Sequence, residues 1–145
     1  MPRMKQVTGL SHVAIAVPSI AAAVEALTKR LGVTAGEVEE NAVQGVRLCY
    51  LDLGNARIEL IEPTSSTSPI AKFLEKNPGG GIHHVSLTVD DLDAALTAAT
   101  EAGARQAGKT GMNVHGERIA FLGPRELAGV LVELEEKRGG PEGQH

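Results

Sequence analysis

The sequence contains two copies of one segment, placed 72 residues apart. His12 begins the first copy, HVAIAVPSIAAAVEAL, and His84 begins the second, HVSLTVDDLDAALTAA. Each copy is followed by a segment with one glutamate between apolar residues, Ile58-Glu59-Leu60 in the first and Val132-Glu133-Leu134 in the second. A duplicated unit with a histidine near its start and a carboxylate near its end predicts two half-sites for one metal ion.

Both copies predict the same local structure. Residues 11–17 alternate between two sets of side chains, which is typical of a strand with one apolar face, and His12 lies on the other face. Pro18-Ser19 predicts a turn and a helix N-cap, and residues 20–31 have helical spacing up to a C-capping Gly32. The second copy follows the same order from His84 to Gly103.

Further strands are predicted after each helix, so that each half has the order β-α-β-β-β. The candidate strands span residues 45–53, 56–62, 118–122 and 129–135, with a weaker one near 33–39. Glu59 and Glu133 lie on the strand faces opposite to those that would pack on helices. We therefore expect an α+β fold, in which two tandem βαβββ modules form a curved mixed sheet around a metal cleft.

The segment SSTSPIAKFLEKN between the copies predicts a short helix, with Ser68 as N-cap and Pro69 as its first residue. A hinge follows at Pro78-Gly79-Gly80-Gly81. We expect one domain over residues 10–137, with modules at about 10–64 and 82–137 joined by a helical linker at 65–81. Residues 1–9 are predicted to be an N-terminal lead and residues 138–145 a disordered tail.

Composition excludes several classes of protein. The net charge of −4 and the presence of only two Phe and one Tyr argue against a nucleic-acid partner. No apolar run approaches the roughly 20 residues of a membrane span. The N-terminus has no apolar signal core and Cys49 is the only cysteine, so we expect a cytoplasmic protein without disulfides.

The repeated histidines and glutamates favour a catalytic metal site. A lone strand histidine is more often a core residue, but matched pairs are hard to explain by packing, because burying an unpaired carboxylate is costly. Two imidazoles and one or two carboxylates suit a borderline divalent ion such as Zn, Co, Ni, Mn or Fe. His83 lies on the opposite face from His84 and is expected to be structural or exposed, and His115 is expected in a loop near the cleft.

The chain resembles the vicinal oxygen chelate superfamily from Leu10 to Glu135 and, within it, the methylmalonyl-CoA epimerases. The more specific motifs are SPIAKFLEKN leading into GGGIHHV, and AFLGPRELAGVLVELEE. The resemblance implies that His12, Glu59, His84 and Glu133 bind a divalent metal ion (Co, Zn, Mn or Ni). It also implies metal-dependent epimerisation of (2R)- and (2S)-methylmalonyl-CoA by proton transfer at C2, through a metal-stabilised enolate.

The resemblance leaves the proton-transferring groups open. Some family members have a glutamate in the strand after GV that is proposed as a base, but this chain has Leu48 there. We expect Glu59 and Glu133 to be the two catalytic carboxylates in its place. The acyl-CoA substrate needs local cations, and the candidates for binding it are Lys72, Lys76, His115 and Arg118, with Lys109 and Arg125 as further basic residues. A homodimer is also expected, because members of the superfamily often form dimers.

Three alternative functions occur on the same fold. A glyoxalase I type lyase also works with two histidines and two glutamates, although the linker motif disfavours it. A non-enzymatic protein that binds small molecules, of the kind that sequesters bleomycin, would generally lack the metal ligands. An extradiol dioxygenase is less favoured, because its iron site has two histidines and one glutamate without a fourth carboxylate.

Overall fold

The structure is a computed structural model that describes residues 6–137. The predicted tail and the first five residues of the predicted lead lie outside the described residues. Within them the fold is α+β, as predicted, with eight strands in a mixed sheet and three α-helices. The elements are β1 (Val7–Ala16), α1 (Ile20–Leu31), β2 (Glu39–Asn41), β3 (Val46–Asp52), β4 (Arg57–Pro63), α2 (Pro69–Lys76), β5 (Gly81–Val89), α3 (Leu92–Glu101), β6 (Gln106–Met112), β7 (Arg118–Leu122) and β8 (Val132–Glu136).

Backbone contacts divide the chain into two compact units, which have the same topology. One unit consists of residues 12–83, and the other of residues 84–137 together with the start of β1 up to Ser11. The strand order is β2-β3-β4-β1 in the first and β6-β7-β8-β5 in the second. In both, the first strand pairs in parallel with the last, and the other neighbours are antiparallel.

Capping residues set the starts of the three helices and the end of α1, whereas α3 ends at Glu101, just before the predicted Gly103. The side chains of Ser19, Ser68 and Asp91 accept hydrogen bonds from the first backbone N–H groups of the three helices. Gly32 ends α1 with a φ of 72°, a conformation that costs glycine little. The sequence does not predict the position of β6, because all its residues are exposed and two of the seven are glycine, so no apolar alternation marks it.

Other strand ends differ by a few residues. β1 begins at Val7, inside the predicted lead, and the weak strand expected near residues 33–39 is found at Glu39–Asn41. Ahead of that strand, Ala35 makes only an isolated bridge to Leu51. No helix among residues 6–137 is both long enough and apolar enough to cross a bilayer.

In the unit of residues 12–83, both faces of the sheet have a helix. On one face, α1 packs on a cluster centred on Leu51 and Leu60, which are fully buried. On the other face, Ile70 of α2 packs with Ile61 and with neighbouring small and branched residues. This second face is the one that carries His12 and Glu59, so the predicted linker helix covers part of the ligand-bearing surface.

In the other unit, α3 packs on one face of the sheet. Its Leu92 and Ala95 join a core with Val89, Leu122 and Leu134. The opposite face carries polar residues, including the buried Glu133 and Glu135. Each unit therefore has a helix, α1 or α3, on the face opposite to the ligands. The units differ on the ligand-bearing face, which is partly covered by α2 in one unit and carries buried polar residues in the other.

Candidate metal centre

The first predicted half-site is formed by β1 and β4. The parallel register places Ala14 beside Glu59, so His12 and Glu59 lie on one face in adjacent strands. His12 Nε2 lies 3.3 Å from Glu59 Oε1. Both side chains are buried, with residue exposures of 2% and 7%.

The second half-site repeats this arrangement in β5 and β8. Ser86 is in register with Glu133, so His84 and Glu133 hold positions equivalent to His12 and Glu59. His84 Nε2 lies 3.6 Å from Glu133 Oε1, and both residues are buried. Both histidine–glutamate contacts thus result from the same parallel register, between β1 and β4 in one unit and between β5 and β8 in the other.

Three of the four predicted ligands form a group that could hold a metal ion. One ligand atom from each of His12, His84 and Glu133 lies within 4.8 Å of the others. Glu59 is not part of this group, although it contacts His12. Two imidazoles and one carboxylate, all buried, fit a borderline divalent ion, because a cation offsets the cost of burying the carboxylate.

An aromatic residue that was not among the predicted site residues lies beside each half-site. Tyr50 is in register with Glu59, and Phe121 is in register with Glu133. The ring of Tyr50 makes an edge contact with His12 at a centroid distance of 5.8 Å, and Phe121 makes one with His84 at 5.1 Å. Tyr50 and Phe121 are 71 residues apart, close to the 72 residues between His12 and His84. The repeat could therefore have indicated that the two aromatic residues hold equivalent positions.

Arg57 is a further basic residue on the ligand-bearing face of residues 12–83. It is in register with His12 across β1 and β4, and it precedes Glu59 by two positions on the same strand. Its guanidinium carbon lies 4.0 Å from the centroid of the Tyr50 ring. This cation–π contact orients the guanidinium next to the half-site.

A second polar network surrounds Glu135, two positions beyond Glu133 on β8. Ser11 Oγ donates a hydrogen bond to Glu135 Oε1, and Asn113 Nδ2 donates one to Oε2 at 2.8 Å. Glu135 is 1% exposed, and burial raises the pKa of its carboxyl. The nearby carboxylates of Glu117 and Glu133 raise this pKa further, while the Ser11 hydrogen bond lowers it.

Asn113 joins this network to the turn between β6 and β7. Its side chain also donates to Glu117 Oε1 at 2.9 Å and accepts from the backbone N–H groups of His115 and Glu117. Lys137 Nζ lies 2.6 Å from Glu117 Oε2. Burial alone would raise the pKa of Glu117, but the hydrogen bonds from Asn113 and Lys137 outweigh burial, and the pKa is lowered.

Arg118, a predicted substrate contact, takes part in ion pairs of its own. Its guanidinium pairs with Asp93 at 2.8 Å and lies 3.7 Å from Glu136. Glu136 also accepts the backbone N–H of Leu92, the first residue of α3. The other unit has an equivalent set of contacts, in which Glu62 pairs with Arg47 and accepts the backbone N–H of Ile20. The repetition indicates that these ion pairs have a structural role.

The other predicted substrate contacts are exposed: Lys72, Lys76, Lys109, His115 and Arg125. Their contacts with a substrate stay predictions. His83 is half-buried, and its ring packs edge-on against Phe73, in agreement with the expected structural role. Leu48 is buried on the ligand-bearing face opposite Ile61, so this position of β3 offers an apolar surface and no base.

Several proteins that are similar to this chain are named as epimerases. Residues 11–121 match the family described as glyoxalase/bleomycin resistance protein/dioxygenase superfamily. The ethylmalonyl-CoA/methylmalonyl-CoA epimerase of Cereibacter sphaeroides is 44% identical over 88% of this chain and 96% of its own length. The crystal structure of methylmalonyl-CoA epimerase from Mycobacterium tuberculosis is 37% identical, with a TM-score of 0.84, covering 94% of this chain and 92% of its own. A methylmalonyl-CoA epimerase solved with methylmalonyl-CoA and NH4+ is 34% identical, with a TM-score of 0.81 over 90% and 94% of the two chains.

Proposed function

The chain belongs to the glyoxalase/bleomycin resistance protein/dioxygenase superfamily and, within it, to the methylmalonyl-CoA epimerases, and we propose that it interconverts (2R)- and (2S)-methylmalonyl-CoA in a metal-dependent reaction. The observation that carries the proposal is the buried group of His12, His84 and Glu133, in a chain that is similar to these epimerases over most of its length. The two histidine–glutamate pairs supply nitrogen and oxygen ligand atoms for the metal ion that such a reaction needs.

The chemistry of the substrate explains why a metal ligand set is useful. The C2 proton of methylmalonyl-CoA lies between a thioester and a carboxylate, and its removal leaves negative charge on the thioester oxygen. A divalent ion held by His12, His84, Glu133 and Glu59 would act as a Lewis acid toward that oxygen. The aromatic rings of Tyr50 and Phe121 border the two histidines and exclude water from their sides.

Epimerisation also requires proton removal on one face of C2 and proton return on the other. We assign these steps to Glu59 and Glu133, which occupy equivalent positions in the two units. Leu48 supports the assignment, because no carboxylate is available at its position in β3. In one direction Glu59 takes the proton from C2 while Glu133 returns one, and in the reverse direction the roles exchange.

Exchange of the C2 proton tests the proposed activity directly. The protein is loaded with cobalt or zinc, methylmalonyl-CoA is added in deuterated water, and deuterium at C2 is followed by mass spectrometry. We expect metal-dependent deuterium incorporation, and ethylmalonyl-CoA serves as a second substrate because the Cereibacter sphaeroides relative is named for both. Absence of exchange with every metal, combined with turnover of methylglyoxal and glutathione, would favour the lyase.

A substitution of Glu59 separates metal binding from proton transfer. Glu59→Gln keeps an oxygen ligand but removes the basic carboxylate, so we expect retained metal and a loss of exchange of about a hundredfold or more. Glu62→Gln is the matched control, since Glu62 lies on the same strand but accepts the N–H of Ile20 on the other face. If Glu59→Gln exchanges protons at the rate of the unmodified protein, Glu59 has no proton-transfer role.

A further inference from the structure

Ser86 carries a buried hydroxyl on the ligand-bearing face of residues 84–137. It lies two positions beyond His84 on β5 and is in register with Glu133 on β8, so the three side chains share one face. Ser86 is fully buried, and its Oγ has no hydrogen-bond partner among the residues that the structure describes. A buried hydroxyl without a partner destabilises a fold, so its presence at this position requires an explanation.

The other unit shows that the fold does not need a hydroxyl at this position. Ala14 is the equivalent residue of residues 12–83, because it lies two positions beyond His12 and is in register with Glu59. Ala14 is also fully buried, so a methyl side chain fills the same place in the sheet. Ser86 differs from its counterpart by one oxygen atom, and packing alone does not explain the burial of that atom.

Glu133 is the acceptor that the strand register offers to this hydroxyl. Two residues flank Glu133 in register, Phe121 on β7 and Ser86 on β5, and of these only Ser86 has a side-chain donor. Neighbouring strands lie about 4.8 Å apart, so a serine hydroxyl reaches the carboxylate of the adjacent residue when that carboxylate adopts a suitable rotamer. A carboxylate has about four acceptor positions, so it can accept from a hydroxyl and bind a metal ion at the same time.

We propose that Ser86 is a positioning residue of the metal centre, whose hydroxyl donates a hydrogen bond to the Glu133 carboxylate in the metal-bound protein. This role depends on the proposed metal-dependent function, because the hydrogen bond orients one of the metal ligands. A donor that holds a ligating carboxylate restricts its rotamers before the metal arrives and so strengthens metal binding. The residue beside Glu59 is Ala14, which has no side-chain donor, so this support is specific to Glu133. Glu133, and not Glu59, also belongs to the group that could hold the ion.

The test uses Ser86→Ala, which gives the second unit the residue of the first. Three quantities are measured: the Kd of cobalt by titration, the visible absorption spectrum of the bound cobalt, and the urea midpoint of the metal-free protein. We expect the cobalt Kd to rise about tenfold or more, as for other residues that orient metal ligands, and the absorption bands to change as the carboxylate loses its fixed orientation. The urea midpoint of the metal-free protein should stay equal or rise, because a hydroxyl without a partner is removed from the interior.

Two further variants locate the effect. Thr88→Val removes another hydroxyl from the same face of β5, one that lies 2.8 Å from the Thr8 hydroxyl, and should leave the cobalt Kd unchanged. Ala14→Ser, added to Ser86→Ala, places a hydroxyl beside Glu59 instead of Glu133 and should not restore cobalt affinity. Restored affinity in this double variant would contradict a role through Glu133.

Two results with Ser86→Ala would overturn the positioning role. One is an unchanged cobalt Kd, and the other is weaker cobalt binding together with a lower urea midpoint of the metal-free protein, which would show that Ser86 maintains the packing of its unit. Failure of the epimerase proposal looks different: the unmodified protein would bind cobalt without exchanging the C2 proton of methylmalonyl-CoA, while the cobalt Kd would still depend on Ser86. An unmodified protein that binds no divalent ion would contradict both proposals.

Discussion

The two units cover their ligand-bearing faces in different ways. In residues 12–83, two positions beyond Glu59, Ile61 is buried against Ile70 of α2 in an apolar cluster. At the equivalent position of the other unit, two residues beyond Glu133, the chain has Glu135. That carboxylate accepts hydrogen bonds from Ser11 and from Asn113 of the β6–β7 turn.

The same place in a repeated fold is thus filled by a helix in one unit and by a polar turn in the other. An apolar cover depends on surface burial and tolerates small changes of shape, whereas a buried polar network depends on each donor and acceptor. A buried glutamate is therefore tolerated at this position only where hydrogen-bond donors face it, as Ser11 and Asn113 do for Glu135. It also makes the cover of the second unit sensitive to pH.

The most damaging exchange should be Ile61→Glu, which places the residue type of the second unit in the first. The new carboxylate would be buried beside Ala14, Ala16 and Ile70 with no donor from the apolar cluster. We expect a loss of about 4 kcal/mol in the free energy of unfolding, measured with urea, because an uncompensated charge is buried. Ile61→Val is the matched control and should cost about 1 kcal/mol. A loss of less than about 1 kcal/mol for Ile61→Glu would mean that α2 does not seal this face.

The sequence alone predicted the features that follow local rules. The helix limits come from Ser19, Gly32 and Ser68, whose capping preferences are strong. The histidine–glutamate contacts follow from the repeat, because His12 and Glu59 are 47 residues apart and His84 and Glu133 are 49 apart. Similar spacing in two copies of one topology places equivalent side chains in equivalent places. The α+β class follows from the same regularity.

Contacts between distant strands could not be predicted in the same way. The sequence shows that Arg57 and Glu59 share a face, but only the β3–β4 register places Tyr50 beside them. The role of α2 as a cover depends on where an amphipathic linker settles. Glu135 shares the face of Glu133, yet its partner Ser11 is 124 residues away, and no local pattern gives that distance.

A second substitution, Glu135→Leu, removes the buried carboxylate from the ligand-bearing face of the other unit. Glu135→Leu leaves the Ser11 hydroxyl and one donor of the Asn113 amide without their acceptor. We expect a loss of about 2 kcal/mol in urea unfolding, less than for Ile61→Glu, because removing a carboxylate whose pKa is raised by burial also removes a desolvation cost. Glu135→Gln keeps the shape and one acceptor and should lose about 1 kcal/mol.

Amide hydrogen exchange shows whether that loss is local to the turn. In Glu135→Leu, faster exchange is expected at the N–H groups of His115 and Glu117, which the Asn113 side chain accepts. Exchange in α2 of the other unit should not change. Equal stability of Glu135→Leu and the unmodified protein would show that the network contributes no more than an apolar contact would.

The smallest effect concerns the outer part of the same turn and depends on pH. Hydrogen bonds from Asn113 and Lys137 outweigh burial and lower the pKa of Glu117 from its ordinary value of 4.5. A carboxyl whose pKa is lower in the folded state stabilises the fold above the unfolded pKa, and this stability is lost as the pH falls through the folded pKa. We expect Glu117→Gln to cost about 1 kcal/mol at pH 7 and progressively less below about pH 4.5, measured by urea unfolding at several pH values.

Lys137→Gln should show the same trend, and the double variant should lose less than the sum of the two single losses. A difference that stays constant from pH 7 to pH 3 would mean that the charge of Glu117 does not hold the turn.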